Sequence, residues 1–312
     1  MVTKALNPSP SKRVSTWTLM KRNKIYYSMI APFMLIFITF TVIPVLMSFV
    51  LSFTSFDMLQ PPKFIGLSNY INLFLNDDVF LIALKNTLIL AIITGPISYL
   101  MAFVFAWLIN ELPPKIRWLL VLIFYAPSIS GSAYLLWLLI FSSDMYGILN
   151  ATLMNLSIIN TPILWLESPK YALTILIIVQ LWLSLGVSFL AFIAGLQTVD
   201  RTLFEAGAID GIKNRWQELW YITLPQMKSQ LMFGAVMQIT NALGIGMVSI
   251  SLLGFPSVEY SGHTIVTHLL DFGSTNSTRL EMGYASAIAT ILFVLMLGAN
   301  LLVQKLIRRV GT

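Results

Sequence analysis

The chain has 312 residues, of which 57% are hydrophobic and only 10% charged, with a formal net charge of +6. Soluble domains are about 45–50% apolar and about 25% charged, so this chain lacks the charge to coat a water-facing surface, which excludes a soluble enzyme, a disordered chain and a nucleic-acid binder. No cysteine and two histidines further exclude disulfides, thiolate metal sites, cysteine nucleophiles and a histidine-built metal centre.

Residues 1–24 are polar and basic, with Pro8 and Pro10, and are expected to form a tail beside anionic lipid headgroups. Seven long windows free of charge follow: 25–56, 86–110, 118–143, 145–166, 171–199, 229–258 and 282–304. A spanning helix needs about 20 mostly apolar residues. Window 145–166 carries Asn150, Thr152, Asn155, Ser157, Asn160 and Thr161, a density of polar groups that is costly in lipid. It is expected outside the membrane, as a short amphipathic helix. The remaining windows predict an all-α integral membrane fold with six transmembrane helices, at approximately 26–53, 84–110, 117–141, 171–197, 229–254 and 282–306. The first is too long for the apolar core of a cleaved signal.

The charges support this count. Six spans place the N-terminus, the loops near 111–116 and 198–228, and the C-terminus on one side. That side holds Lys4, Lys12, Arg13, Lys21, Arg22, Lys24, Lys115, Arg117, Arg201, Lys213, Arg215, Lys228, Lys305, Arg308 and Arg309, against Lys63, Lys85, Lys170 and Arg279 opposite. Short cytoplasmic loops collect Lys and Arg, so both termini are expected in the cytoplasm. A seventh span at 145–166 would carry the basic 198–228 loop outside.

That loop is not featureless. Leu203, Phe204, Ala208 and Ile209 recur at helical spacing, Gly211 can end a helix, and Trp216, Leu219 and Trp220 form a second stripe before Pro225. Two short amphipathic helices joined at Gly211 are expected, with apolar faces that cover the chain's own spans or meet a partner. Thr202-x-x-Glu205 also fits a capping box. Asp210 suits either a solvated charge or a salt bridge to a partner, and Trp216 and Trp220 suit either the headgroup belt or docking.

Glu205-Ala206-Gly207, then Gly211, then Ile222-x-Leu224-Pro225 resembles the cytoplasmic loop of ABC-importer permeases, whose pattern is Glu-Ala-Ala, three residues, Gly, nine residues, Ile-x-Leu-Pro. Two departures are present: Gly207 replaces the second alanine, and residues 212–221 make the second gap ten residues long. Residues 62–74, PKFIGLSNYINLF, followed by Asn86-Thr87, are similar to the first outer loop of the carbohydrate-importer branch, which includes the maltose and glycerol-3-phosphate permease subunits. The likeness runs from about residue 25 to 310. It implies the type I ABC-importer permease fold over 25–312, an additional first helix before a five-helix core, and a bacterial cell membrane location. The loop (198–228, with 202–225 as the moving part) would dock on an ATPase through Glu205, Ala206, Gly207, Asp210, Gly211, Ile222, Leu224 and Pro225. The implied partners are a second, homologous permease subunit in a heterodimer, two ABC ATPase subunits that hold ATP and Mg, and an extracytoplasmic solute-binding protein. The implied cargo is a carbohydrate of oligosaccharide size.

The residues agree with what is absent. No Gly-Lys dipeptide exists, hence no P-loop, and no GxSxG or HExxH motif is present. This chain is therefore expected to bind no cofactor or metal and to hydrolyse no ATP. His263 and His268, five apart in an outer loop, read as ordinary polar residues, and Asn150, Asn155 and Asn276 match N-x-Ser/Thr by a pattern that carries little information. No ionisable residue lies deep in a span, which argues against the rival reading of an ATP-independent channel or ion-coupled carrier. Polar groups inside the spans should face the bundle interior: Tyr125 and Ser128 beside Pro127, Ser130 and Ser132; Gln180 near Trp182; Gln238, Thr240 and Asn241 before Gly244 and Gly246. Tyr125, Ser128, Gln180, Gln238 and Asn241 are the candidate substrate path, each with helix–helix bonding as its alternative role.

Overall fold

The structure, a computed structural model, describes residues 20–274 and 280–307. Most of the basic tail, together with Arg279, Arg308, Arg309 and Asn276, lies outside the described residues.

Helix α1 (Lys24–Leu51) contains no buried residue. It widens into a single π turn at Ile38–Val42. Pro44 explains the widening, because its ring would clash with the carbonyl four residues back and it has no N–H to donate. The chain from Leu51 onward forms a separate compact unit. It opens with a two-residue antiparallel ribbon, β1 (Thr54–Ser55) on β2 (Lys63–Phe64), the one sheet among the described residues. Helix α2 (Ser68–Leu75) is then seated by Asn69, whose Nδ2 donates to the carbonyls of Ser52 and Thr54.

Helix α3 (Asp78–Asn110) is the mast of this unit. Phe80, Ala83, Thr87, Leu90, Thr94, Ser98, Ala102 and Ala106 are buried at steps of three and four along one stripe. Thr87 and Thr94 donate their hydroxyls to carbonyls four residues back, which hides polar groups inside the span. Asp77 caps its start by accepting from Phe80 N, and Arg117 donates to the Asn110 and Leu112 carbonyls at its end. Against it pack α8 (Gly186–Thr198) and α11 (Lys228–Leu243), with α14 (Met282–Ile307) lying on α11. Phe103, Phe189, Phe192, Leu196, Met227 and Leu231 form a core at the end that carries the basic loop. Leu73, Phe80, Ile265, Phe272 and Ile288 form another at the opposite end.

Among the described residues four helices are long and apolar enough to cross a membrane, and two bent pairs bring the number to six. The bends fall at the proline and glycine positions of the third and fifth spans. The third predicted span is α4 (Pro114–Ile129) and α5 (Tyr134–Ile140), bent by 84°, and the fifth is α11 and α12 (Met247–Leu253), bent by 42°. Pro127 with Ser130–Gly131 breaks the first, and Gly244-Ile245-Gly246 breaks the second. The fourth, Pro169–Thr198, is interrupted at Ser184-Leu185 between α7 (Pro169–Leu183) and α8.

The segment predicted outside the membrane contains α6 (Ile148–Asn155). Its Asn150 is fully buried: its Nδ2 donates to the carbonyls of Ser142, Asp144 and Ile163, and its Oδ1 accepts from Ile163 N and Trp165 Nε1.

The histidines also differ from expectation. His268 lies on α13 (Ile265–Gly273), which starts with a Thr264–Thr267 capping box, and both histidines are buried. His263 Nε2 is hydrogen-bonded to His268 Nδ1 (3.2 Å), and His268 Nε2 to Asp77 Oδ2 (3.0 Å). Tyr284 donates to the same carboxylate oxygen (2.8 Å). Burial first, and the neighbouring His268 second, lower the His263 pKa to about 4, against the opposing pull of Asp77. An unfolded histidine titrates near 6.5. Between these values the unfolded chain binds the proton that the folded one refuses, so stability falls as pH drops from about 6.5 to 4. The melting temperature should fall across that window in the wild type and fall less in His263→Gln.

Candidate functional site

Two places collect the residues that the sequence singled out. The first is the basic loop. Helix α9 (Arg201–Ile209) is capped by Asp200, whose Oδ1 accepts from Thr202 N at 3.0 Å; the Thr202–Glu205 capping box is not formed. Hydrogen bonds from Thr202 hold the Asp200 pKa below its ordinary value. The helix ends in a Schellman turn. Gly211 takes φ +94°, its N–H reaches the Ala208 carbonyl, and Ile212 N reaches Gly207 O at 2.9 Å. A side chain at 211 would be strained.

The second arm, α10, runs over 215–226, with Asn214 accepting from Gln217 N as its cap. It widens into a π turn at Leu219–Thr223 immediately before Pro225, as α1 does before Pro44. Pro225 therefore sits inside α10, not beyond its end. Trp216 and Trp220 are exposed while Leu219 is buried in the core, so the expected second stripe is split between two directions.

The motif divides by burial. Gly207 and Ile222 are buried, Leu224 and Pro225 half-buried, and Glu205, Ala206, Asp210 and Gly211 exposed. A Cβ at Gly207 would stand 2.8 Å from Ile222 Cδ1 and 3.0 Å from Ile212 Cδ1. Glycine here lets two isoleucines close over α9, a physical account of this departure from the alanine pattern. Leu203, Ala208 and Ile209 are exposed, Ile209 at 87%. Phe204, the fourth residue of the expected stripe, is half-buried and shares a pocket with Trp107 and Leu196, so three of its four residues face away from the chain's own spans. Arg215 ties α10 to the end of α3, pairing with Glu111 at 2.7 Å and Glu218 at 2.8 Å, and Trp107 of α3 packs on Trp216 with ring centroids 5.2 Å apart.

The second place is a cavity of about 600 Å³ in the helical unit, open on one side, where Ser130, Gly131 and Asn241 are exposed. All three helix interruptions open onto it: Ser130 and Gly131 between α4 and α5, Ser184 and Gly186 between α7 and α8, Gly244 to Gly246 between α11 and α12. Non-helical backbone at membrane depth is tolerated where it lines a cavity, because the freed N–H and C=O groups need partners. Tyr125, Ser128, Gln180 and Asn241 line this cavity together. Gln238 does not; it is buried and donates through Nε2 to the Ser184 carbonyl at 2.9 Å. Tyr134 and Ser184 also line it and were missed by the sequence reading. The only local signal for Ser184 was Ser-Leu-Gly in an otherwise bulky apolar span.

No family model matches the chain. It is 33% identical over 282 residues to the probable ABC transporter permease protein YesP of Bacillus subtilis, covering 89% of each chain. The chain belongs to the ABC transporter permease family. The permease is also 34% identical over 220 residues to the lactose transport system permease protein LacF of Rhizobium radiobacter, covering 69% of this chain and 70% of that one. Its fold superposes, with a TM-score of 0.72 and 25% identity, on a chain of a bacterial ABC transporter involved in the import of the acidic polysaccharide alginate, covering 95% of this chain and 99% of that one. The permease is thus a multi-pass membrane protein with the type I importer fold.

In the permease the two amides of α11 should behave differently. Asn241→Ala removes an exposed cavity group and should change flux with little loss of stability. Gln238→Ala orphans the Ser184 carbonyl, for about 1–3 kcal/mol, and should lower the melting temperature. Uptake and melting curves of the two variants check this; the assignment fails if Asn241→Ala melts early and imports normally.

Proposed function

We propose that the permease forms half of the pore of an ATP-driven importer for carbohydrate of oligosaccharide size in a bacterial cell membrane, with both termini and the 198–228 loop in the cytoplasm. The observation that carries this reading is the convergence of three broken helices on one cavity with polar groups but no charged side chain among its lining residues. Hydroxyl and amide groups beside tyrosine rings suit a sugar, and LacF is named for lactose transport.

The pore is completed by a homologous permease subunit as a heterodimer. Two ABC ATPase subunits, which hold ATP and Mg, bind the exposed α9 surface, and an extracytoplasmic solute-binding protein delivers the sugar. ATP hydrolysis belongs to those subunits, since this chain carries no P-loop. Closure of the ATPase dimer moves 202–225 as a rigid lever. The Schellman turn and the Gly207 contact lock α9 to α10, and Leu219 and Arg215 lock α10 to the span ends. Nucleotide must bias the inward- and outward-facing states by a few kcal/mol for this to drive transport.

Sugar uptake by membrane vesicles that contain the whole transporter should require ATP and ignore collapse of proton and sodium gradients. The ATPase subunits should co-purify with the permease. Uptake that follows an ion gradient, with no ATPase attached, would instead establish a secondary carrier.

A further inference from the structure

The cavity at the three helix breaks does more than provide room. Among its lining residues none is Asp, Glu, Lys, Arg or His. Its polar side chains are hydroxyls and amides, and several are already committed. Ser128 donates to the Tyr125 carbonyl, Ser184 donates to the Leu181 carbonyl and is paired with the Ser98 hydroxyl, and Thr240 donates to the Val236 carbonyl.

Gln180 is different. It is 7% exposed, it lines the cavity from the last turn of α7, and its side-chain amide has no hydrogen-bond partner among the described residues. The stem is buried while the amide itself reaches the open space of the cavity, where it presents a carbonyl acceptor and two N–H donors. A vicinal diol, whose hydroxyls both donate and accept, satisfies both ends of such an amide. A carboxylate only accepts, and here it would meet no cation to offset its lost hydration. The rings of Tyr125 and Tyr134 supply apolar surface to the same cavity.

We propose that this cavity selects uncharged sugar units and that the Gln180 amide is the group that recognises them, a proposal that rests on the cavity being the import path. It sets the permease apart from its structural relative in the alginate transporter, whose cargo is acidic.

The test uses the permease with its partner subunits in nanodiscs, without the solute-binding protein, so that discrimination comes from the pore. The probes are neutral disaccharides of glucose and galactose in α and β linkage, and the same disaccharides oxidised at C6 to uronates, followed by saturation-transfer NMR. At least one neutral disaccharide should bind, its uronate about a hundredfold more weakly. Gln180→Met, which keeps the length and removes the hydrogen bonds, should weaken the neutral sugar about tenfold. A monodisperse gel-filtration profile checks that this variant folds, and Gln180→Ala serves if it does not. Equal binding of uronate and neutral sugar, undiminished binding by both Gln180 variants, or binding of no sugar overturns the proposal. Gly131→Trp separates it from the reading beneath it, because Gly131 lines the cavity and nothing lies within 4 Å of an added Cβ there, so an indole is admitted at the cavity and is expected to obstruct it. If G131W loses import while the wild type ignores charge, the path stands and only the selection fails. If G131W imports at the wild-type rate, both fall.

Discussion

Replacing Glu205 with lysine is expected to lower ATP-driven uptake by more than about tenfold while the permease still inserts and folds. Glu205 is exposed on α9 and makes no ion pair among the described residues. Glutamate and lysine have similar helix propensities, and surface changes of this kind stay within about 0.5 kcal/mol. Had Glu205 closed a capping box, the substitution would also loosen α9, but the cap belongs to Asp200. The loss therefore falls on docking. A reversed charge placed in an interface is penalised by several kcal/mol, and every 1.4 kcal/mol is a factor of ten in affinity. Ile209→Asp, at 87% exposure on the same helix, should act alike. Uptake and co-purification of the ATPase subunits are the measurements. Wild-type uptake by E205K with an unmodified ATPase would remove Glu205 from the coupling surface.

Gly283→Val should be the most destabilising of the glycine substitutions at the end of the bundle opposite the basic loop. An added Cβ at Gly283 would overlap the Thr54 carbonyl oxygen and stand 3.1 Å from Phe56 N. Both are backbone atoms with no rotamer to yield. The Thr54 carbonyl is also fixed by Asn69 Nδ2, and Gly283 N donates to the Phe56 carbonyl at 3.0 Å. Insertion of methyl groups into such a contact costs about 1–3 kcal/mol or more, and the lost hydrogen bond adds about 1 kcal/mol. A fall of several degrees in melting temperature is expected. Gly298→Ala, inside α14 where nothing lies within 4 Å of the new Cβ, is the control and should be neutral to slightly stabilising, since alanine is the better helix former. Equal melting of G283V and G298A would show that the ribbon is not seated on α14.

The coupling loop shows how far sequence reading extends. Gly211 announced its turn because positive φ is a local property of one residue. The division of the motif was not legible. Glu205 and Gly207 are two residues apart, yet one faces out and the other is pressed beneath Ile222 by a turn that reverses the chain. Asn241 and Gln238 differ in the same way: three residues apart on α11, one lines the cavity and the other holds Ser184, 54 residues away. The histidines read as surface residues because their partner Asp77 lies 191 residues from His268.

The sequence by itself determined what depends on neighbours along the chain: a membrane protein from scarce charge, six candidate spans from charge-free windows, the coupling motif from its spacing, and breakable points from Pro127, Gly244 and Gly246. Only the tertiary structure decided that those two interruptions meet a third, at Ser184-Leu185, which the sequence did not announce. Composition and periodicity report whether a segment is apolar or helical. Which distant backbone or amide satisfies a freed polar group is settled when α8 packs against both α4 and α11, and that packing makes one cavity, with the Gln180 amide unpartnered at it, from three separate flaws in three spans.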